Sequence, residues 1–189
     1  MRVRRYLVLC RSLMLGTVAG LTSEEQEHRL ISQVMNHSMV IKKAQPGDLI
    51  SLNFSDRVFH QARWDDVTVL ARGLFVDRGP NGYYRVCGRS YRKFFYENES
   101  RVGFMATERL VGMLHFPLKV FLKANGFLGI LFARRDPATG AAKLVPSSKS
   151  TTEGPFAGYF HEILTETLQR GNVSAVRQYW LHACCSRPL

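Results

Sequence analysis

Apolar positions along the 189-residue chain switch between a helical and a strand period, and the switches divide it into elements. Ser23-Glu24-Glu25-Gln26 has capping-box spacing, and Leu30, Ile31, Val34 and Met35 then recur at helical intervals, which predicts a helix over 23–36. Residues 39–43 and 49–54 read as short strands on either side of the turn Pro46-Gly47-Asp48. Residues 67–76 are rich in β-branched side chains and predict a strand. A turn over 77–82 and a return strand over 83–87 make it a hairpin. Apolar runs at 121–122 and 127–133 flank Asn125-Gly126, a strong hairpin signal. A turn over 136–140, a strand over 143–146 and a polar loop over 147–155 follow. Tyr159, Phe160, Ile163, Leu164 and Leu168 then form a helical stripe that ends near Gly171-Asn172. The pattern predicts an α+β fold of antiparallel hairpins with a few helices packed on them. No internal repeat interrupts it.

Composition sharpens this picture. With 46% hydrophobic residues the chain can bury a core, and 26 Lys+Arg against 15 Asp+Glu leave a net charge of +11. Such a charge favours an anionic partner such as nucleic acid, nucleotide or a membrane surface. Cys10, Cys87, Cys184 and Cys185 have neither metal-ligand spacing nor the layout of a disulfide framework, and read as thiols of a reducing compartment. The six histidines lack zinc-ligand spacing, and no Gly-x-x-x-x-Gly-Lys-Ser/Thr loop is encoded. Residues 1–22 contain Arg2, Arg4, Arg5 and Arg11 and no acid. Two readings stand for them, a mitochondrial-type presequence and a basic N-terminal helix. Their apolar run is too short to span a bilayer, and no membrane association is expected.

Candidate chemistry centres on Lys123, which ends an apolar run just before Asn125-Gly126. A nucleophilic lysine must be partly deprotonated, and apolar surroundings with nearby cations lower its pKa. Two basic stretches precede it, Ala71-Arg72-Gly73-Leu74-Phe75 and Arg89-Ser90-Tyr91-Arg92-Lys93-Phe94-Phe95. If they converge on Lys123, the same cations could hold a triphosphate and stabilise charge on a transferring phosphorus. Gly126 would let backbone approach the nucleotide closely. On the short motif alone, an ordinary lysine at a hairpin tip is the stronger reading. The order and spacing of all the pieces together shift the balance.

Those pieces are Ala71–Phe75, Gly88-Arg-Ser-Tyr-Arg-Lys-Phe-Phe95, Lys123-Ala-Asn-Gly126 and Ser147-Ser-Lys-Ser-Thr-Thr-Glu-Gly154. In that order they resemble the ligase domain of fungal-type tRNA ligases, a relative of the bacteriophage RNA ligases, over roughly residues 60–176. The resemblance implies a lysine nucleotidyltransferase fold and ATP-dependent joining of RNA ends, as in tRNA splicing or RNA repair, with Mg²⁺ as cofactor. Carried over position by position, it makes Lys123 the residue that bonds to AMP. It places Arg72 and Lys93 near the nucleotide phosphates and Lys149 at a phosphate or RNA, and it makes Gly126 the glycine closing the nucleophile motif. The implied partners are ATP and RNA, in the form of tRNA halves or other broken RNA.

The family pattern continues with an acidic strand and late lysines, which residues 177–189 do not show. The expected layout is therefore a basic segment over 1–22, a C-terminally incomplete ligase domain over 23–176, and a divergent tail from an out-of-frame or mis-spliced message. Two other functions stay open at this level. One is a truncated, non-catalytic RNA- or nucleotide-binding remnant, and the other is an unrelated basic α+β domain. The expected compartment is intracellular, nuclear or cytoplasmic, with the mitochondrion open through the N-terminal segment.

Overall fold

A computed structural model describes residues 22–91, 93, 126–136 and 139–170. In chain order these form α1 (Ser23–Asn36), β1 (Val40–Gln45), β2 (Leu49–Phe54), α2 (Asp56–Gln61), β3 (Leu74–Arg78), β4 (Tyr84–Arg89), β5 (Ile130–Arg135), β6 (Ala142–Ser147) and α3 (Pro155–Arg170). Strands β1 to β4 make one antiparallel sheet in chain order, and β5 and β6 make an antiparallel hairpin. The α+β architecture expected from the pattern is present.

The two-residue period of β2 and β3 sorts the core into two layers. Leu52, Leu74 and Val76 point to one face, where they meet Ile31 and Val34 of α1 together with Val40 and Ala71. Leu49 and Phe75 point to the other face and pack on Ile130 and Phe132 of the β5–β6 hairpin. The Phe75 and Phe132 rings stack with centroids 5.1 Å apart. Gly88 in β4 lies directly beneath Phe132, where a Cβ would overlap the ring. The order is thus α1, sheet, hairpin, and α3 packs in turn on β6.

Helix α1 has the expected bounds, but its capping box is set one residue earlier than the Ser23–Gln26 spacing suggested. The cap is Thr22, whose Oγ1 accepts the Glu25 amide at 3.3 Å, while the Glu25 carboxylate accepts the Thr22 amide at 2.7 Å. The helix also protects the open edge of β4. The Val86 amide donates to Glu27 Oε1 and the Tyr84 amide to His28 Nδ1, both at 3.0 Å. Outward-facing strand amides that would otherwise offer a pairing site are therefore occupied. The opposite edge strand, β1, keeps Lys42 and Lys43 exposed, a second way to discourage edge pairing.

The strand expected over 67–76 begins only at Leu74. Asp65 is the cause. Its Oδ1 accepts the amides of Val67 and Thr68 at 3.0 and 2.7 Å and the Thr68 hydroxyl at 2.9 Å, which winds 65–71 into hydrogen-bonded turns. Local side-chain bonds here override β-propensity. The hairpin expected around Asn125-Gly126 has its first arm outside the described residues. Its second arm joins β5, whose partner is β6.

A buried ion network fastens hairpin to sheet. Asp77 of β3 accepts Arg85 Nε at 2.7 Å and Arg134 Nε of β5 at 3.0 Å, and Arg134 Nη2 also donates to the carbonyl of Gly47 in the β1–β2 turn. Burial opposes the charge on Asp77, but the hydrogen bonds from Arg85 and Arg134 outweigh it and hold the carboxyl below the usual range. Cys87 sits in the same network, where burial and the facing Asp77 push its thiol well above the ordinary value. That favours an inert thiol rather than a nucleophile. Among the described residues no helix is long and apolar enough to cross a membrane.

Candidate nucleotide and RNA site

The hairpin-facing side of the sheet carries, beyond the end of the packed core, a polar surface built from Asn53, Arg72, Gly73, Ser90 and the loop after β6. Asn53, two positions beyond Ser51 on the same face of β2, accepts the Gly73 amide with Oδ1 at 2.9 Å. The Phe54 amide donates to Ala71 O at 2.6 Å and the Ser90 amide to Gly73 O at 3.0 Å. The 71–73 segment is thereby clasped between the ends of β2 and β4. Gly73 adopts φ +61°, which a residue with a side chain takes only under strain.

This clasp orients Arg72. Its Nη1 donates to Ser90 Oγ at 3.3 Å and Tyr91 O at 3.4 Å. The guanidinium is half-buried, and burial lowers its pKa from the ordinary arginine value. Next to it, the Lys93 amide donates to Val69 O at 3.1 Å, and Lys93 Nζ lies 5.4 Å from the centre of the Trp64 ring. Trp64 meets Phe54 edge-on at 4.8 Å, and Lys149 Nζ stands 5.0 Å from the centre of the Phe54 ring. Two lysines from distant parts of the chain therefore flank one aromatic pair, each in cation–π contact. Tyr91, beside Arg72, is exposed.

The Lys149 loop is tied to the sheet from below. Ser147 Oγ donates to Ile130 O at 3.2 Å, Ser148 Oγ donates to Thr151 O at 3.1 Å, and Ser51 Oγ donates to Ser150 O at 2.7 Å. The carbonyl of Lys149 and Cδ1 of Ile130 both crowd the space beside the Gly73 Cα.

Of the residues singled out from sequence, Lys93 and Lys149 are brought to one aromatic pair, and Arg72 lies on the adjoining segment, where the Lys149 carbonyl abuts Gly73. Gly126 is exposed with φ +142°, and open space lies where a Cβ would be. Its neighbour Phe127 meets Phe156 at the start of α3, with ring centres 5.0 Å apart. Gly126 thus enters at the α3 end of the segment that leads into Ile130. Lys123, Phe94 and Phe95 lie outside the described residues. Sequence reasoning did not find Asn53 or the Phe54–Trp64 pair. Asn53 stands in a strand pattern with no signal of its own, and Trp64 lies in an irregular stretch after α2. Among the described residues no group of three or more His, Cys, Asp or Glu is placed to hold a metal ion. What the site offers is cationic and aromatic, suited to phosphate and to planar bases.

The sequence matches a family model described as RNA ligase, the bacteriophage T4 type, over residues 70–184. That segment holds Arg72, Lys93, Gly126 and Lys149 and more than half of the chain, and the chain belongs to this RNA ligase family. RNA substrates follow from the membership. Neither curated proteins nor solved structures give a match.

Proposed function

We propose that this chain is an ATP-dependent RNA ligase domain of the lysine nucleotidyltransferase fold, with Lys123 as the residue that carries AMP. The observation that supports it most is the placing of Lys93 and Lys149 on the Phe54–Trp64 pair, with Arg72 held by Ser90 and Tyr91 next to Gly73, which the Lys149 carbonyl abuts. Cations carried by three segments joined in this way would cradle a triphosphate.

In this reading a neutral Lys123 Nζ attacks the α-phosphorus of ATP. A P–N bond forms, the bond to pyrophosphate breaks, and the amine proton is lost. The clustered cations disfavour the ammonium form of a lysine brought beside them and favour the charge building on pyrophosphate. An RNA 5′-phosphate oxygen then attacks the lysine-bound phosphorus, which frees Lys123 and leaves AMP on the RNA end. A 3′-hydroxyl attacks that 5′-phosphate, a phosphodiester forms and AMP departs. The cationic and aromatic residues of this site supply no Mg²⁺ ligand, so the ion would be held by nucleotide oxygens and water, and there it would neutralise phosphate charge. Broken tRNA, in splicing or repair, is the proposed substrate.

The test is incubation of the purified chain with Mg²⁺ and ATP labelled at the α-phosphate, followed by a chase with 5′-phosphorylated RNA. Label on the protein that moves to the RNA supports the reading. A folded chain that binds RNA but takes no label would make it a binding remnant instead.

A further inference from the structure

Gln45 ends β1 with its side chain turned inward, only 8% exposed. Its Oε1 accepts hydrogen bonds from Thr151 Oγ1 at 3.0 Å, the Thr152 amide at 3.0 Å and Thr152 Oγ1 at 3.3 Å. Its Nε2 faces Lys43 O, Ser51 Oγ and Ser150 O, each at 3.4 Å, and can serve two of them at once. A backbone donor on one side and backbone carbonyls on the other fix which end of the amide is oxygen. The loop held this way, Ser-Ser-Lys-Ser-Thr-Thr-Glu-Gly over 147–154, has no large apolar side chain of its own to anchor it. Its place over the sheet is set by hydrogen bonds, and Gln45 makes them from both ends of one side chain. The loop carries Lys149, whose amine reaches Phe54 and whose carbonyl abuts Gly73.

The geometry points to Gln45 as a positioning residue that clamps the 147–154 loop so that Lys149 meets the nucleotide phosphates beside Arg72. Its consequence for activity rests on the function proposed above, but the clamp itself can be read without it. A carboxylate could not replace the amide, because a Glu at 45 would turn an acceptor toward the carbonyls of Lys43 and Ser150.

The experiment compares the full-length chain with Gln45→Ala and with Thr151→Val, which removes from the loop side one of the three hydrogen bonds to Gln45 Oε1. Amide hydrogen exchange and the rate of labelling by ATP labelled at the α-phosphate are measured in each. Exchange at residues 150–152 is expected to rise at least about tenfold in both variants while α1 stays protected. Labelling should fall about tenfold, the scale of a small misplacement of a catalytic group. In a Lys149→Ala background, Gln45→Ala should add less than about a twofold loss, since both act through one group. Unchanged loop exchange in both variants, or a full additional loss in the Lys149→Ala background, overturns the inference. If Gln45→Ala unfolds the chain, the exchange of Thr151→Val decides. If the parent chain takes no label, the proposed function falls and exchange alone decides the clamp.

Discussion

The main-chain carbonyl of Lys149 lies 3.0 Å from where a Cβ on Gly73 would sit. That contact joins the segment carrying Arg72 to the loop carrying Lys149, and only a residue without a side chain permits it. At φ +61° a non-glycine residue also pays a backbone penalty. Gly73→Ala is therefore expected to lower stability by about 2 kcal/mol in urea unfolding, from the left-handed conformation together with the displaced carbonyl. Labelling by ATP should drop with it, because the two cationic segments are pushed apart.

Asp77 makes a prediction about acid. Its folded-state pKa is depressed, so its contribution to stability is complete above the unfolded value of about 4 and is lost as pH falls through the lower folded value. Unfolding free energy followed from neutral pH downward should fall below about pH 4 in the parent chain. Asp77→Asn should lose about 3 kcal/mol at neutral pH, because the partly buried Arg134 is left without its counter-charge, and its acid slope should be shallower. Equal slopes for the two proteins would argue that other carboxylates set the acid limit.

Arg72 tests the difference between charge and geometry. Its Nη1 donates to both Ser90 Oγ and Tyr91 O, which fixes the plane of the guanidinium, and a lysine ammonium presents no such planar fork to a phosphate. Arg72→Lys should retain the fold yet lose about tenfold in labelling rate, nearly as much as Arg72→Ala. Full activity in the lysine variant would reduce Arg72 to a point charge.

Lys149 is exposed, and its Nζ contact is with the Phe54 ring. Lys149→Ala should change unfolding free energy by no more than about 0.5–1 kcal/mol, the worth of an exposed cation–π contact. Its labelling rate should fall at least about tenfold, the scale expected for a lost phosphate contact. A large loss of stability without a matching loss of labelling would assign the lysine to structure.

Much of the fold could be read directly from the chain. The helical spacing of Leu30, Ile31 and Val34, the Pro46-Gly47-Asp48 turn and the α3 stripe each rest on local chemistry, and α1, β1–β2 and α3 formed accordingly. Residues 67–73 depart from the expected strand because Asp65 takes up the amides of Val67, Thr68 and Val69 locally, an effect that composition does not reveal. Arg72, Lys93 and Lys149 were found through a resemblance and not through spacing. Gln45, Asn53 and Trp64 were not found. Gln45 and Ser150, for instance, are 105 positions apart, so their contact leaves no periodic trace in sequence. On α3, Tyr159 and Ile163 belong to the predicted apolar stripe yet are exposed, and the packed face runs through Ala157 and Phe160.

The central claim is that AMP is carried on Lys123. The most direct measurement digests the chain after reaction with ATP and Mg²⁺ and maps the adduct by mass spectrometry, with Lys123→Ala beside it. The account predicts AMP on the peptide containing Lys123 and no adduct in the variant. An adduct on another lysine, or one that survives Lys123→Ala, would contradict it.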